Sequence, residues 1–287
     1  MKKTYTALAL ALVCLGVRAQ DALPMLLVPS DARALALGGN TLVQEPACKK
    51  VSATLSYGIW APGDIHDNLL AADVQLRLGK SGTCTLGLDF ADFLGKPYEL
   101  TTSLGTVRGK YTPYDMRIGL GARMTFGPHF AASLKGRFIQ SVLSPDNKGT
   151  AFGVDAGVEY MAAGLRAVLA GCNFGTPVRY TQDGTAYNSP ALIKAGVAYS
   201  FLGITPAVEL DYLLGGPMMV AAGIEYNLKD MAFLRVGYHY GPANKALPSF
   251  ASVGAGMHIA GISLNAAYLF ASKVLGNTFL VGLGYSF

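Results

Sequence analysis

The chain has 287 residues, of which 51% are hydrophobic and 14% charged, with a formal net charge of +5. Ordinary soluble domains carry about 25% charged residues, so a water-soluble enzyme fits this composition poorly. The positive charges form no basic block or stripe, which argues against a nucleic-acid surface, because that binding needs Lys and Arg clustered toward phosphates.

The chain begins with Lys2 and Lys3, then an apolar run from Ala7 to Val17, then Val17-Arg18-Ala19. This is the pattern of a secretory signal peptide, residues 1–19, cut after Ala19. Cys14 suggests lipidation, but Val13 precedes it where a small residue is required. Residues 20–50 follow. Leu23, Met25, Leu26, Leu27 and Val28 supply apolar anchors, and Ser30 or Asp31 is suited to cap a short helical turn that Gly38 ends. The segment is expected to plug the periplasmic mouth of the fold described next, or else to lie as a surface arm.

Residues 51–287 divide into fourteen segments with period-two alternation, the signature of half-buried strands. They are Val51–Ile59, Leu69–Leu78, Thr83–Ala91, Pro113–Phe126, Phe130–Val142, Ala151–Met161, Leu165–Phe174, Ala191–Phe201, Ile204–Leu214, Met218–Leu228, Ala232–Tyr240, Ser249–Ile259, Ile262–Ala271 and Thr278–Phe287. Connections alternate between tight turns, such as Leu202–Gly203 and Ala260–Gly261, and longer loops, such as Asp92–Thr112, Leu143–Thr150 and Gly175–Pro190. Even strand number and alternating loop length are the marks of an outer-membrane barrel, with tight turns and both termini on the periplasmic side. A spanning helix over the uncharged stretch Ala246–Ser272 fits worse, because Pro248, Gly254, Gly256, His258, Gly261 and Asn265 interrupt it. The last strand closes the pattern: Phe279, Val281, Leu283, Tyr285 and Phe287 share one face, and Leu280, Gly282, Gly284 and Ser286 the other.

The expected fold is therefore an all-β transmembrane antiparallel barrel of about fourteen strands. Met116, Ile118, Leu120, Ala122, Met124 and Phe126 face lipid, and Arg117, Gly119, Gly121, Arg123 and Thr125 face inward. The same alternation places Arg117, Arg123, Lys135, Arg137, Asp155, Glu159, Glu209, Asp211, Glu225 and Arg235 in the lumen, because an Arg or Lys facing lipid at mid-membrane costs ~2–4 kcal/mol. Mixed signs imply a lumen that closes on itself through ion pairs. These residues are either structural filling or a substrate path. Tyr98, Tyr111, Tyr114, Tyr180 and Tyr187 lie in or beside the two longest loops. They suit either partner contact or anchoring at the lipid headgroups. Three cysteines remain after signal removal, Cys48, Cys84 and Cys172, so at least one is a free thiol. No nucleophile elbow, zincin helix, Walker loop or dinucleotide fingerprint occurs, so neither an enzyme nor a cofactor is expected.

Several segments together resemble a known family. DARALALGG, SYGIWAPG, AFGVDAGVEY, LAGCNFGTPVRYTQDG, LPSFASVGAGMHIAGISLNAAYLF and LGNTFLVGLGYSF are similar, in order and spacing, to the PorV/PorQ family of Bacteroidetes. These are outer-membrane barrels related in fold to the long-chain fatty-acid transporters. The resemblance implies an accessory role in the type IX secretion system, protein secretion across the outer membrane. Its partners would be the translocon and the C-terminal signal domains of secreted clients, with outer-membrane lipid around the barrel. The tyrosine-bearing loops would then receive the clients. The alternative function, by fold analogy, is uptake of small hydrophobic molecules.

Overall fold

A computed structural model describes residues 23–41, 50–61, 67–79, 83–102, 105–181, 184–242, 247–271 and 276–287. The expected signal peptide and Cys48 lie outside the described residues. Sixteen strands form: β1 (Val51–Trp60), β2 (Asp67–Leu78), β3 (Cys84–Leu94), β4 (Tyr98–Thr101), β5 (Val107–Tyr111), β6 (Tyr114–Phe126), β7 (Phe130–Ser144), β8 (Asn147–Ala162), β9 (Leu165–Gly175), β10 (Leu192–Tyr199), β11 (Ile204–Leu213), β12 (Met218–Leu228), β13 (Ala232–Tyr240), β14 (Phe250–Ile259), β15 (Ile262–Ala271) and β16 (Thr278–Ser286). Fourteen of them close into one antiparallel barrel, and β4 and β5 form a separate two-stranded sheet. Closure leaves no unpaired sheet edge in the barrel. The seam joins β1 to β16 from Ser52↔Ser286 to Ile59↔Phe279. The terminal Phe287 extends it: its N–H donates to Val51 O, and its carbonyl accepts from Val51 N, each at 3.0 Å.

One end of the barrel carries tight turns. At three two-residue turns both residues have positive φ and the second is glycine: Ala163 and Gly164 (45° and 84°), Leu202 and Gly203 (49° and 80°), and Ala260 and Gly261 (52° and 85°). Such turns match the twist of the paired strands, and glycine removes the steric cost at the second position. The other end carries the longer connections. Two of these hold more strand than expected. The stretch Leu143–Thr150 is mostly strand, because β7 and β8 run on until only Pro145 and Asp146 remain between them. Within Asp92–Thr112, β3 continues to Leu94, and the short alternations YELT and VRGKY pair as β4 and β5. Those runs are too short for periodicity alone to separate from a loop.

The outer surface is apolar all round and the inner surface is not. Along β6, Leu120 is 66% exposed and Arg117, three residues earlier on the opposite face, only 8%. Leu134, Phe152, Leu234 and Leu283 continue the outer belt. Among the described residues no helix is long and apolar enough to cross a membrane; the strands carry the apolar surface. Leu120→Arg is expected to prevent assembly, since a charge on the lipid face at mid-strand costs ~2–4 kcal/mol. Gly87→Ser, on the lumen face where an added Cβ meets nothing within 4 Å, should fold normally. Heat-modifiable migration on gels reads both, and equal folded fractions would refute the face assignment.

The N-terminal segment enters the lumen, but its apolar stretch is buried at the loop end, opposite the mouth it was expected to seal. Leu23, Met25, Leu26 and Val28 join one buried cluster with Trp60, Leu69, Phe93, Ile139, Leu247, Phe250, Leu269 and Leu280. Those wall residues lie in the loop-end halves of their strands or in an adjoining loop. The turn-end halves instead carry inward charges such as Arg123, Glu159 and Glu225, so the large apolar side chains find burial at the loop end.

Candidate functional site

The site is the lumen, and the N-terminal segment divides it. A short helix, α1 (Ala32–Ala36), is capped by Asp31, whose carboxylate accepts from Ala34 N at 2.9 Å. The chain leaves α1 through Gly38 and Gly39, with φ of 77° and 89°. This turn rests on a seat of small residues. A Cβ at Gly223 would stand 2.7 Å from Leu37 O, one at Gly237 2.1 Å from Gly38 N, and one at Gly254 2.4 Å from Ala36 Cβ. Only glycine lets the two backbones approach this closely.

Polar ties then fix the segment to the wall. Gly38 N donates to Ser252 Oγ (3.1 Å), and Ser252 Oγ donates to Ala36 O (3.0 Å). The buried His239, stacked on Phe250 with centroids 4.9 Å apart, donates from Nδ1 to Gly38 O at 3.2 Å. Arg33 reaches Glu225 through Nε (2.9 Å) and Nη2 (2.8 Å), and Arg235 Nε reaches the same carboxylate at 2.6 Å. Arg117 Nη2 donates to Ser30 Oγ (2.8 Å). At the far end of the segment, Thr41 N donates to Glu209 Oε2 (2.8 Å), and Lys194 Nζ bridges Glu209 Oε1 (2.7 Å) and Asp211 Oδ2 (2.9 Å).

The rest of the inner wall pairs with itself. Arg123 and Arg166 share Glu159, Lys135 pairs with Asp89 at 2.9 Å, and Arg137 pairs with Asp155. Arg137 also donates to Asn173 Oδ1 at 2.7 Å. Asn173 lies in a bulge of β9, where Cys172 and Asn173 together oppose Asp155. Its φ of 60° is a conformation Asn tolerates better than most residues. Charges removed from water must be paired, and this lumen does so strand to strand.

All ten lumen residues expected from alternation point inward. Nine of them take part in charge–charge contacts, and the tenth, Arg117, meets Ser30. Asp89 and Arg166 belong to the same network and were missed, although both sit on the inward phase of their strands. Arg33 and Thr41 carried no readable signal, because no strand period applies to the segment that bears them, and Ser30 was readable only as a candidate cap, a place that Asp31 takes.

Below the N-terminal segment lies a cavity of about 670 Å³. Leu26, Leu27, Val28, Leu192, Met219 and Leu247 line its apolar upper part. Phe233, Met257, His258 and Ser263 line it near the tight turns. Among the described residues, no three His, Cys, Asp or Glu side chains come together as a metal-binding group. Cys84 and the buried Cys172 are free thiols.

The five tyrosines separate into two groups. Tyr98 and Tyr111 meet edge-on at 6.0 Å at the base of the β4–β5 hairpin, and Tyr98 Oη donates to Leu143 O at 2.6 Å. Tyr114 begins β6, half-buried. Tyr180 and Tyr187 turn inward instead: their loop is pinned by the Val178↔Tyr187 bridge, and both rings pack on the buried loop-end cluster. Tyr180 Oη lies 2.9 Å from Ser141 Oγ. Burial raises its phenol pKa above the ordinary value, so it stays a neutral hydroxyl at physiological pH.

No family model matches the chain, and no curated relative matches it. Solved structures do. The toluene transporter TbuX of Ralstonia pickettii aligns with a TM-score of 0.60 at 10% identity, over 89% of this chain and 98% of its own. The Pseudomonas putida toluene transporter TodX aligns with a TM-score of 0.57 at 12% identity, over 90% and 94%. A Pseudomonas aeruginosa FadL homologue aligns with a TM-score of 0.51 at 12% identity, over 91% and 95%. At this identity the likeness establishes the fold. The expected antiparallel barrel of fourteen strands is thus found. The secretion role implied by the PorV/PorQ resemblance gains no support from these neighbours.

Proposed function

We propose that this chain is an outer-membrane barrel that passes small hydrophobic molecules. The observation that supports this most is the lumen. An apolar N-terminal stretch closes the loop end, and beneath it a cavity of about 670 Å³ leads toward the tight turns. Small-molecule sites typically measure about 300–1,000 Å³. The upper part of this one is lined by leucine, valine and methionine, and most charged groups below it are paired with one another, Arg117 and Asp73 instead being met by Ser30 and Gln75, so an uncharged cargo strands no partner. The neighbours named as toluene transporters make a monoaromatic hydrocarbon the first cargo to test. Cells expressing the barrel should take up labelled toluene faster than cells without it. Leu27→Trp, which fills the upper cavity, should slow uptake severalfold at unchanged barrel abundance. Equal uptake with and without the barrel would end this reading.

One observation favours a second reading, the type IX accessory role. The β4–β5 sheet pairs with no barrel strand and carries Tyr98 and Tyr111 outside the barrel. Client contact would fall to this hairpin, since Tyr180 and Tyr187 are engaged in closing the mouth. Deletion of the protein that leaves toluene uptake intact but abolishes surface delivery of clients would put this reading first. Co-purification of the translocon, lost on Tyr98→Ser with Tyr111→Ser, would support it.

A further inference from the structure

The outer apolar belt ends, on one side of the loop end, in an arc of positive charge. Lys96 precedes β4, Arg108 and Lys110 lie on β5, Lys148 lies near the start of β8, and Arg179 follows the buried Val178. All five are exposed. They occupy one continuous stretch of rim. The bond from Tyr98 Oη to Leu143 O fastens the hairpin to the end of β7. Val142, next to that carbonyl, stands opposite Lys148 in register. Arg179 O lies 3.1 Å from where a Cβ of Gly149 would be. The exposed acids of the same arc are Glu99 and Asp146. Among the described residues Arg108, Lys110, Lys148 and Arg179 form no ion pair, whereas the lumen pairs its charges closely. Leaving this many cations unpaired on one side is not needed to fold the barrel.

The height of the arc relates it to the bilayer. Lys148 lies on the outward phase of β8, in line with the exposed Phe152 and Val154. Four residues at ~3.3 Å each place Lys148 roughly 13 Å beyond Phe152 along the strand. The exposed Leu94, Val107 and Leu143 mark the upper edge of the apolar surface around it. Cations just above a hydrocarbon belt face the headgroup layer, where Lys and Arg gain from anionic groups and Arg binds phosphate bidentately.

We propose that this arc binds the phosphates of lipid headgroups in the leaflet at the loop end, a bisphosphorylated glycolipid being the best match to several cations spread along a rim. The inference rests on the membrane placement given above and not on the cargo. The test uses the full chain in neutral detergent, titrated with bisphosphorylated lipid A or with its phosphate-free form. Bound copies are counted by native mass spectrometry, and folding is checked by heat-modifiable migration. The bisphosphorylated form should bind more tightly, and more weakly as salt rises. Arg108→Ser with Lys110→Ser and Lys148→Ser should weaken it roughly a hundredfold, at about fivefold per charge. Lys50→Ser, at the opposite end, should leave it unchanged. Should the triple variant fail to fold, the single variants Arg108→Ser and Lys148→Ser carry the same expectation in smaller measure. Wild-type affinity in folded variants would overturn the proposal, as would equal binding of the phosphate-free lipid or displacement by millimolar inorganic phosphate. Toluene uptake should be the same in the triple variant and the wild type, which separates failure here from failure of the transport reading.

Discussion

Gly237→Val is expected to drive the N-terminal segment out of the lumen while leaving the barrel assembled. A Cβ at this position would lie 2.1 Å from Gly38 N and 2.4 Å from Leu37 C, both backbone atoms. No side-chain rotation relieves such an overlap, so either the wall or the segment must move. The wall is held by ladder hydrogen bonds on both sides of β13, to β12 and to β14, and the segment is the weaker partner. Valine is also well suited to a strand. Two readouts should change together. Planar-bilayer recordings of the native chain should show little or no conductance, because the loop end is closed by Leu23, Met25, Leu26 and Val28; the variant should conduct. Limited proteolysis should cleave the variant within residues 23–41 and spare the native chain. If the variant stays closed and resistant, the seat does not hold the segment.

Glu225→Ala should cause the largest loss of stability among the lumen variants. Among the described residues its carboxylate is the one anion that pairs with both Arg33, at 2.8 Å, and Arg235, at 2.6 Å. Arg235 is 4% exposed and its further hydrogen bond goes to the uncharged Asn265. Removing the carboxylate leaves the guanidinium charges uncompensated out of water, a change that costs on the order of 3–5 kcal/mol. The same substitution unties α1 from the wall, so segment release and barrel destabilisation should appear together. The urea concentration at which the heat-modifiable form is lost should fall well below that of the native chain. Glu225→Gln, which keeps an acceptor oxygen but not the charge, should fall between the two. An unchanged midpoint for Glu225→Ala would show that water reaches these groups and screens them.

The barrel was legible because a strand that separates lipid from lumen must repeat its contrast at every second residue. Met218–Leu228, Ala232–Tyr240 and Ile262–Ala271 have the same bounds in the structure as in the sequence reading. The same contrast pointed to the inward set from Arg117 to Arg235, since charge on the lipid face is the costliest error such a strand can make. It did not pair them. Whether Glu225 meets Arg235, directly opposite in register, or also Arg33, 192 residues away in the chain, depends on contacts that no periodicity encodes.

Residues 23–41 show where local pattern stops. Their apolar anchors and the Asp31 cap were readable in place, because a cap acts over three residues. Their destination was not. It follows from where fourteen strands leave glycines at Gly223, Gly237 and Gly254, and from which end of the lumen is lined by Trp60, Phe93, Phe250 and Leu269. Those are properties of strands brought together by closure. Tyr180 and Tyr187 illustrate the same limit: in the chain they are loop tyrosines beside Asp183, and only the folded mouth, with Val178 buried beneath them, turns their rings inward. The sequence alone therefore dictated the wall, whose every residue answers to the membrane beside it. Closure of the barrel decided the interior, because burial inside it depends on residues that become neighbours only once the last strand meets the first.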